Sequence, residues 1–235
     1  MTHWQSIDQN ALSLQHGSCH VWRLPVETDC LDICYAVLST DEVQRAERFR
    51  FERDRRQSVV ARGGLRYLLA RYLAIDPFKL DFTYSAYQKP YIVDCPISFN
   101  VSHAGSWVVY IVSRQHIVGI DIECRRELDF LPLAKRFFSE TEYRQLCELP
   151  ADQLKAGFFH IWVQKEAFVK AVGSGLQYGL DQFSVAGLGH SGLVTDLREQ
   201  WQLETFTMPG LYQAAYAIKY VGCDTQFYEL SLAKP

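Results

Sequence analysis

An apolar, β-branched run lies near the middle of the chain, at residues 117 to 123 (IVGIDIE). This composition is typical of a buried β-strand, against which the neighbouring segments must pack. Side chains alternate along a strand, so Asp121 and Glu123 point to the same face, about 7 Å apart along the strand.

The two acids of this strand suggest a cation site. Carboxylates on one face beside an apolar core repel each other unless a cation lies between them. Oxygen ligands with no neighbouring histidine or cysteine favour Mg²⁺ over zinc. The alternative is an exposed strand end, at which water solvates both acids.

Length and composition indicate a globular protein of one large or two small domains. The chain has 235 residues and a net charge of −3, which argues against bulk nucleic-acid binding but leaves room for a local basic patch. The first residues do not resemble a signal peptide, and no apolar stretch is long enough to span a bilayer. The seven cysteines form no Cys-x-x-Cys pair, so we expect free thiols in a reducing cytosol.

The first half of the chain predicts a strand, a long helical region and three more strands. The strands are at residues 19–26, 80–85, 97–102 and 107–113, and the last two form a hairpin. A capping box at Ser39 and Glu42 opens the helical region, which runs to about residue 74 with a possible break near 51–54. This region holds arginines and no lysine. Most of these arginines coat a solvated face, and a few could bind phosphates.

Residues 117–218 follow a similar order, although the sequence identity between the halves is too slight to prove a repeat. They predict the strand at 117–123, helices at 133–149 and 153–172, with a second capping box at Ser139 and Glu142, and strands near 180–186, 201–207 and 212–218. A further strand is predicted near 225–231. The sequence therefore predicts an α+β fold of two similar lobes, residues 1–115 and 116–235, with a ligand site where they meet.

Two further groups of residues are candidates for function. Ser102 and His103 lie in a loop that could hold an anion, although a histidine after a strand is more often a turn residue. Trp162, Glu166 and Lys170 lie at i, i+4 and i+8 on one helical face. The alternative for the last two is an exposed ion pair of small energy.

Three of these motifs together resemble a known family. The chain has FNVSH at 99–103, GIDIE at 119–123 and WVQKEAFVK at 162–170. The 4′-phosphopantetheinyl transferases of the two-lobed, surfactin-synthetase-activating type show F-N-x-S-H, G-x-D-x-E and W-x-x-K-E-x-x-x-K in this order. Lys89 and Pro90 match a Gly-Lys-Pro element of that family, and residues 134–139 match its helix start. The resemblance covers residues 40 to 218.

The resemblance implies a reaction and a fold. Such enzymes move the phosphopantetheine arm of coenzyme A onto a serine of an apo acyl or peptidyl carrier protein of fatty-acid, polyketide or peptide synthases, and release adenosine 3′,5′-bisphosphate. It also implies a pseudodimer of two α/β lobes with the active site at their interface. We expect a cytoplasmic monomer that uses Mg²⁺ and binds neither nucleic acid nor membrane.

The resemblance also implies roles for particular residues. Asp121, Glu123 and Glu166 would hold Mg²⁺ on the pyrophosphate, and Glu166 is a ligand, the base that takes the serine proton, or both. Lys170 would neutralise phosphate charge and hold Glu166 in place. Arg45, Lys89, Pro90, Asn100, Ser102, His103, Asp121 and Lys170 would bind coenzyme A. A carrier would dock on an apolar and basic surface near residues 136–138.

Three positions depart from the family pattern. Gln88 replaces the usual glycine before Lys89, Glu42 stands where some members carry a second phosphate-binding lysine, and Tyr84 replaces a basic residue. Arg53 or Arg62 could compensate for the missing cation. The sequence leaves two alternatives open: an inactive coenzyme-binding regulator on the same fold, or an RNA-binding module that uses the arginine-rich helices.

Overall fold

The computed structural model describes residues 2–6, 12–26, 28–185, 201–220 and 222–232. Elements are numbered in chain order. The helices are α1 (Thr28–Ala36), α2 (Thr40–Glu47), α3 (Glu52–Leu73), α4 (Phe130–Phe137), α5 (Glu140–Cys147) and α6 (Ala151–Val172). The strands are β1 (Ser18–Pro25), β2 (Thr83–Tyr84), β3 (Pro90–Tyr91), β4 (Ile97–Ala104), β5 (Trp107–Arg114), β6 (Val118–Cys124), β7 (Gln202–Phe206), β8 (Tyr212–Ile218) and β9 (Asp224–Glu229).

Two sheets form the centre of this α+β fold. The first has the order β4-β5-β1-β9 and the second the order β6-β8-β7. Neighbouring strands are antiparallel except β1 and β9, which are parallel. The sheets are joined where β4 lies beside β6: the Asn100 side chain accepts a hydrogen bond from the backbone N–H of Ile120 at 2.9 Å.

The molecule is layered as helix, sheet, sheet, helix. One face of the first sheet packs on α3, through residues such as Trp22, Leu65 and Tyr110. Its other face meets the second sheet, where Ile120 and its neighbours on β6 are buried. Alternation along β6 turns Gly119, and with it Asp121 and Glu123, to the opposite face, toward α6. The acids therefore lie between a strand and a helix.

Gly119 allows α6 to approach β6 closely. A Cβ added there would lie 2.1 Å from the carbonyl oxygen of Ala167 and 2.4 Å from the backbone nitrogen of Ala171. No side chain fits at that distance, because such contacts are far inside van der Waals separation. The glycine two residues before Asp121 thus fixes the distance between the acids of β6 and the side chains of α6.

The two halves share a buried ion pair in the same context. Ser39 and Ser139 each start a short helix with a capping box, whose third residue is Glu42 or Glu142. Arg66 of α3 contacts Glu42 at 2.7 Å. In the same way, Lys165 of α6 contacts Glu142 at 2.8 Å. Both cations also donate to two backbone carbonyls of the segment that follows their own helix: Pro77 and Leu80 for the arginine, Leu180 and Phe183 for the lysine.

Several predicted elements differ from the structure. The helical region that starts at Ser39 does break, into α2 and α3, but at residues 48–51, slightly earlier than expected, and the helix predicted at 133–149 is two helices, α4 and α5. Helix α1 was not predicted, and only Thr83–Tyr84 of the strand at 80–85 forms. The strand at 180–186 is wrong over its described residues: Leu180–Gln182 is a 3₁₀ turn, because the carbonyls of Leu180 and Phe183 face the Lys165 ammonium.

The predicted lobe boundary does not hold for the end of the chain. Strand β9 lies in residues 116–235, yet it pairs with β1 in the first sheet, with Ser18 opposite Asp224 and Arg23 opposite Glu229. Sequence order gives no sign of this pairing, because the paired residues are more than two hundred positions apart along the chain.

Two further predictions, on the cysteines and on membrane-spanning segments, can be compared with the structure. The seven cysteines, all within the described ranges, form no disulfide, and four of them are buried: Cys19, Cys30, Cys34 and Cys223. Among the residues that the structure describes, no helix has the length and apolar character needed to cross a membrane.

Candidate active site

A cleft lies where α3 and β4 face β6 and α6. It consists of two adjoining cavities of about 360 and 380 Å³. Arg62, Val101, Glu166 and Lys170 line both cavities. The first cavity adds Ser102, His103, Asp121 and Glu123, and the second adds Lys89, Pro90 and Asn100. The structure therefore brings every predicted site residue except Arg45 into one cleft.

Arg45 lies in a separate outer cavity of about 330 Å³. Its guanidinium stacks over the Tyr84 ring, 4.6 Å from the ring centroid. Tyr84 connects this cavity to the cleft, because its hydroxyl accepts a hydrogen bond from Arg62 at 3.0 Å.

Lys170, Asp121 and Ser102 form a hydrogen-bonded network at the base of the cleft. The Lys170 ammonium donates to Asp121 Oδ1 at 2.5 Å and to Ser102 Oγ at 2.8 Å. Ser102 donates its own proton to Asp121 Oδ1 at 2.9 Å and accepts from the N–H of Ile122 at 3.4 Å. The ammonium thus holds Asp121 and Ser102, and not Glu166 as the sequence suggested. The network links β4, β6 and α6.

The carboxylates of the cleft carry more negative charge than Lys170 offsets. Burial raises the pKa of Glu166 to about 7, and repulsion from Asp121 adds to the effect while Lys170 opposes it. Burial and Asp121 also raise the pKa of Glu123, while Lys170, Arg126 and Trp162 oppose the rise. The raised values mean that bringing these charges together costs free energy that a cation would recover.

The acids fit a divalent cation in ligand type and charge. Asp121 Oδ2 is buried and has no hydrogen-bond partner among the described residues. Such an atom is costly to bury unless a donor or metal meets it. In the described ranges, however, no three acidic, histidine or cysteine side chains are grouped so that they could hold a metal ion. Asp121, Glu123 and Glu166 are therefore not already arranged as a complete set of ligands.

Asn100, Lys89 and His103 are three further residues predicted to bind the coenzyme, and the structure shows the surroundings of each. Asn100 is 5% exposed, and its amide oxygen accepts from the backbone of β6. The Lys89 ammonium donates to the carbonyls of Val118 at 3.0 Å and Ala171 at 2.9 Å, and burial lowers its pKa to about 8. Lys89 therefore ties its loop to β6 and α6 by backbone contacts. Burial and the nearby Lys170 lower the pKa of His103.

The three departures from the family pattern have clear environments. Gln88 has φ 64°, the left-handed conformation that glycine adopts most easily, so the backbone keeps a glycine-like turn. Glu42 is buried against Arg66. Both Glu42 and Tyr84 contact Arg62. A Glu42 carboxylate oxygen lies 3.5 Å from Arg62 Nε, and the Tyr84 hydroxyl lies 3.0 Å from Arg62 Nη2. Arg53, the other candidate for the missing cation, is exposed and pairs with Asp54.

The sequence indicated two further residues of the cleft only in part. Trp162 helps to lower the pKa of Glu123, and its place on the Glu166 face of α6 was the one hint of this. Arg62 lines both cavities, and the sequence named it only together with Arg53, as a substitute for the missing cation. The packing of α3 against the cleft distinguishes Arg62 from Arg53.

Comparison with known proteins identifies the family. Residues 117–221 match the 4′-phosphopantetheinyl transferase superfamily, and residues 22–115 match the family described as 4′-phosphopantetheinyl transferase, N-terminal. The 4′-phosphopantetheinyl transferase HetI of Nostoc sp. is 33% identical over 225 residues, covering 92% of this chain and 94% of HetI. The transferase psf-1 of Bacillus pumilus is 37% identical over 183 residues (76% and 77% of the two chains). Sfp of Bacillus subtilis is 37% identical over 149 residues (63% and 66%). The chain therefore belongs to the 4′-phosphopantetheinyl transferases of the Sfp type.

Proposed function

We propose that this protein transfers the 4′-phosphopantetheine group of coenzyme A to a serine of an apo acyl or peptidyl carrier protein. The products are the holo carrier and adenosine 3′,5′-bisphosphate. The observation that carries this proposal is the network of Lys170, Asp121 and Ser102, next to Glu166 and Glu123 in a cleft of a chain from this family. A protein that only bound the coenzyme would not need this set.

Glu166 is proposed as the base that takes the proton of the carrier serine. In the metal-free protein burial raises the pKa of this carboxyl to about 7, so it is basic enough to accept a proton at neutral pH, and a bound Mg²⁺ would lower that pKa. Lys170 would stabilise negative charge that develops on the phosphate oxygens, since its ammonium lies at the cleft and is 30% exposed. Ser102 and His103, on the β4 side, would hold the coenzyme phosphates.

Asp121, Glu123 and Glu166 are the proposed ligands of Mg²⁺. A bound Mg²⁺ would neutralise the pyrophosphate and stabilise the leaving phosphate. The support for this site is the unpartnered Asp121 Oδ2 and the raised pKa values of the two glutamates. Arg45, Lys89, Pro90 and Asn100 are proposed to border the rest of the coenzyme.

The carrier is proposed to dock beside the cleft on Arg136 and Phe137. The Phe137 ring packs edge-on against Trp162, which is close enough to Glu123 to lower its pKa, so this surface adjoins the acids. Phe138 is excluded from it, because this ring is 3% exposed and stacks on Phe158 in the core.

We further propose that the two halves are copies of one ancestral lobe, arranged as a pseudodimer. The shared strand order, β4-β5-β1 and β7-β8-β6, supports this. So do the matched buried pairs, Arg66 with Glu42 and Lys165 with Glu142. A monomer in the reducing cytoplasm is also proposed, and cysteines without disulfides in the described residues agree with that compartment.

The decisive experiment incubates the protein with several apo carrier proteins, coenzyme A and Mg²⁺, and measures carrier mass. We expect addition of one phosphopantetheine group to at least one carrier. Asp121→Ala and Glu166→Gln should abolish transfer with the fold intact, whereas Glu140→Gln, at a side chain 82% exposed, should not. Coenzyme binding without transfer to any carrier would favour the inactive regulator instead.

A further inference from the structure

Arg62 is a buried cation that the reaction described above does not use. Its side chain is 20% exposed and lies with its guanidinium 4.7 Å from the centroid of the Phe82 ring. Nη2 donates to the Tyr84 hydroxyl, and Nε lies 3.5 Å from a Glu42 carboxylate oxygen. These three contacts fix the orientation of the guanidinium plane, which a residue of a binding site needs in order to bind its ligand.

One nitrogen of this guanidinium has no protein partner. Nη1 of Arg62 is buried and makes no hydrogen bond to any described residue. A buried charged donor without a hydrogen-bond partner costs free energy, so such donors are rare in native proteins unless a ligand binds to them. Arg62 borders both cavities of the cleft, across from Glu166 and Lys170.

The surrounding charges leave Arg62 without full compensation. Glu42 is the acidic partner of two buried arginines, and its closest contact is with Arg66 at 2.7 Å. The same carboxylate oxygen also accepts from the backbone of Ser39 at 2.9 Å. Burial lowers the pKa of Arg62, and Arg66 and Arg45 add to this effect while Tyr84 and Glu42 oppose it. Glu42 is one carboxylate among three guanidiniums, so the α2 and α3 side of the cleft carries an excess of positive charge opposite the acids of β6 and α6, and an anion would stabilise it.

We propose that Arg62 binds a phosphate group of coenzyme A, as an affinity-determining contact supplied by α3. This inference rests on the proposed function, because it takes the coenzyme as the occupant of the cleft. The planar fork of a guanidinium suits a phosphate, and Nη1 is the donor available for it. Arg62 would thus supply the cation for this phosphate from α3, and Glu42 would orient it.

The test measures coenzyme binding by calorimetry, without a carrier and without turnover. Arg62→Gln should weaken coenzyme A binding by roughly 10-fold to 100-fold, the effect of losing one charge-assisted hydrogen bond. Arg62→Lys keeps the positive charge but lacks the planar guanidinium, so its affinity for coenzyme A should lie between those of wild type and Arg62→Gln. Arg53→Gln removes one positive charge from the same helix at an 84% exposed side chain and should bind as wild type.

Repeating the titration with 3′-dephospho-coenzyme A locates the contact. A loss seen only with coenzyme A assigns Arg62 to the ribose 3′-phosphate, and an equal loss with both assigns it to the pyrophosphate. Thermal unfolding checks that each variant is folded. If Arg62→Gln is not folded, the affinity of Arg62→Lys for coenzyme A is used for the comparison with wild type. Binding within twofold of wild type in the folded variants, or an equal loss in Arg53→Gln, overturns the inference. Failure of the wild-type protein to bind coenzyme A would instead contradict the proposed function.

Discussion

Replacing Glu166 by glutamine is expected to stabilise the metal-free protein above neutral pH. The pKa of Glu166 is raised from 4.5 to about 7, first by burial and then by repulsion from Asp121. In the unfolded chain the carboxyl returns to its ordinary value and loses its proton at lower pH than in the folded protein. Above pH 7 the folded protein therefore holds an unfavourable buried charge, which a glutamine side chain of similar shape does not carry.

The size of the effect follows from the two pKa values. At 1.36 kcal/mol per pKa unit, the change from 4.5 to about 7 sets an upper limit of about 3 kcal/mol. The side chain keeps some contact with water, which screens its charge, so we expect about 2 kcal/mol. Below pH 4.5 the carboxyl is protonated in both states and the gain vanishes. It grows as pH rises and is complete above pH 7.

Urea unfolding of metal-free protein between pH 4.5 and 8.5 measures this gain. The free energy of unfolding of Glu166→Gln should rise relative to wild type as pH increases, while Glu140→Gln should follow wild type at every pH. Added Mg²⁺ should stabilise wild type more than Glu166→Gln, because a bound ion needs the carboxylate. The reasoning is refuted if Glu166→Gln is no more stable than wild type at pH 8, or if its gain is independent of pH.

Three further substitutions test the fold around the cleft. Lys165→Met should lower the free energy of unfolding by about 3–5 kcal/mol, because it leaves Glu142 buried without its cation. Gly119→Ala should cost about 1–3 kcal/mol and slow transfer at least roughly tenfold, because its Cβ would lie 2.1 Å from the Ala167 carbonyl and push α6 from the acids. Ser139→Ala should cost about 1 kcal/mol, since its hydroxyl caps α5.

Each of these predictions has a matched control. Lys155→Met removes a lysine whose partner, Glu127, is 89% exposed, and should cost less than about 1 kcal/mol. A similar small cost for Lys165→Met would show that the buried pair does not hold α5 to α6. Transfer at the wild-type rate in Gly119→Ala would contradict the close approach of α6. Ser139→Asp keeps a capping oxygen and should retain most of the stability lost in Ser139→Ala.

The parts of the fold that the sequence predicted depend on local signals. Ser39 and Ser139 start helices because a capping box satisfies backbone donors within four residues. Alternation along β6 placed Asp121 and Glu123 on one face, and helical periodicity placed Glu166 and Lys170 on another. The cleft brings these faces together, so the composition of the site was predictable once the family motifs were recognised.

The parts that the sequence did not predict depend on contacts between distant residues. Leu180 and Phe183 look like strand residues, but the buried Lys165 ammonium turns their carbonyls toward itself. Lys89 looks like a phosphate ligand, but two backbone carbonyls of distant elements accept its hydrogen bonds. In each case a buried cation must find acceptors, and only the tertiary structure decides which ones are within reach.

The parallel pairing of β9 with β1 has a consequence for how the molecule unfolds. The chain leaves the first sheet after β5, builds the second sheet, and returns to form the outer edge of the first. Removing the second half would therefore deprive β1 of one of its two hydrogen-bonded neighbours, β9, and expose a strand edge prone to aggregation. The two halves should lose structure in a single cooperative transition, and neither half is expected to be a stable protein when expressed alone.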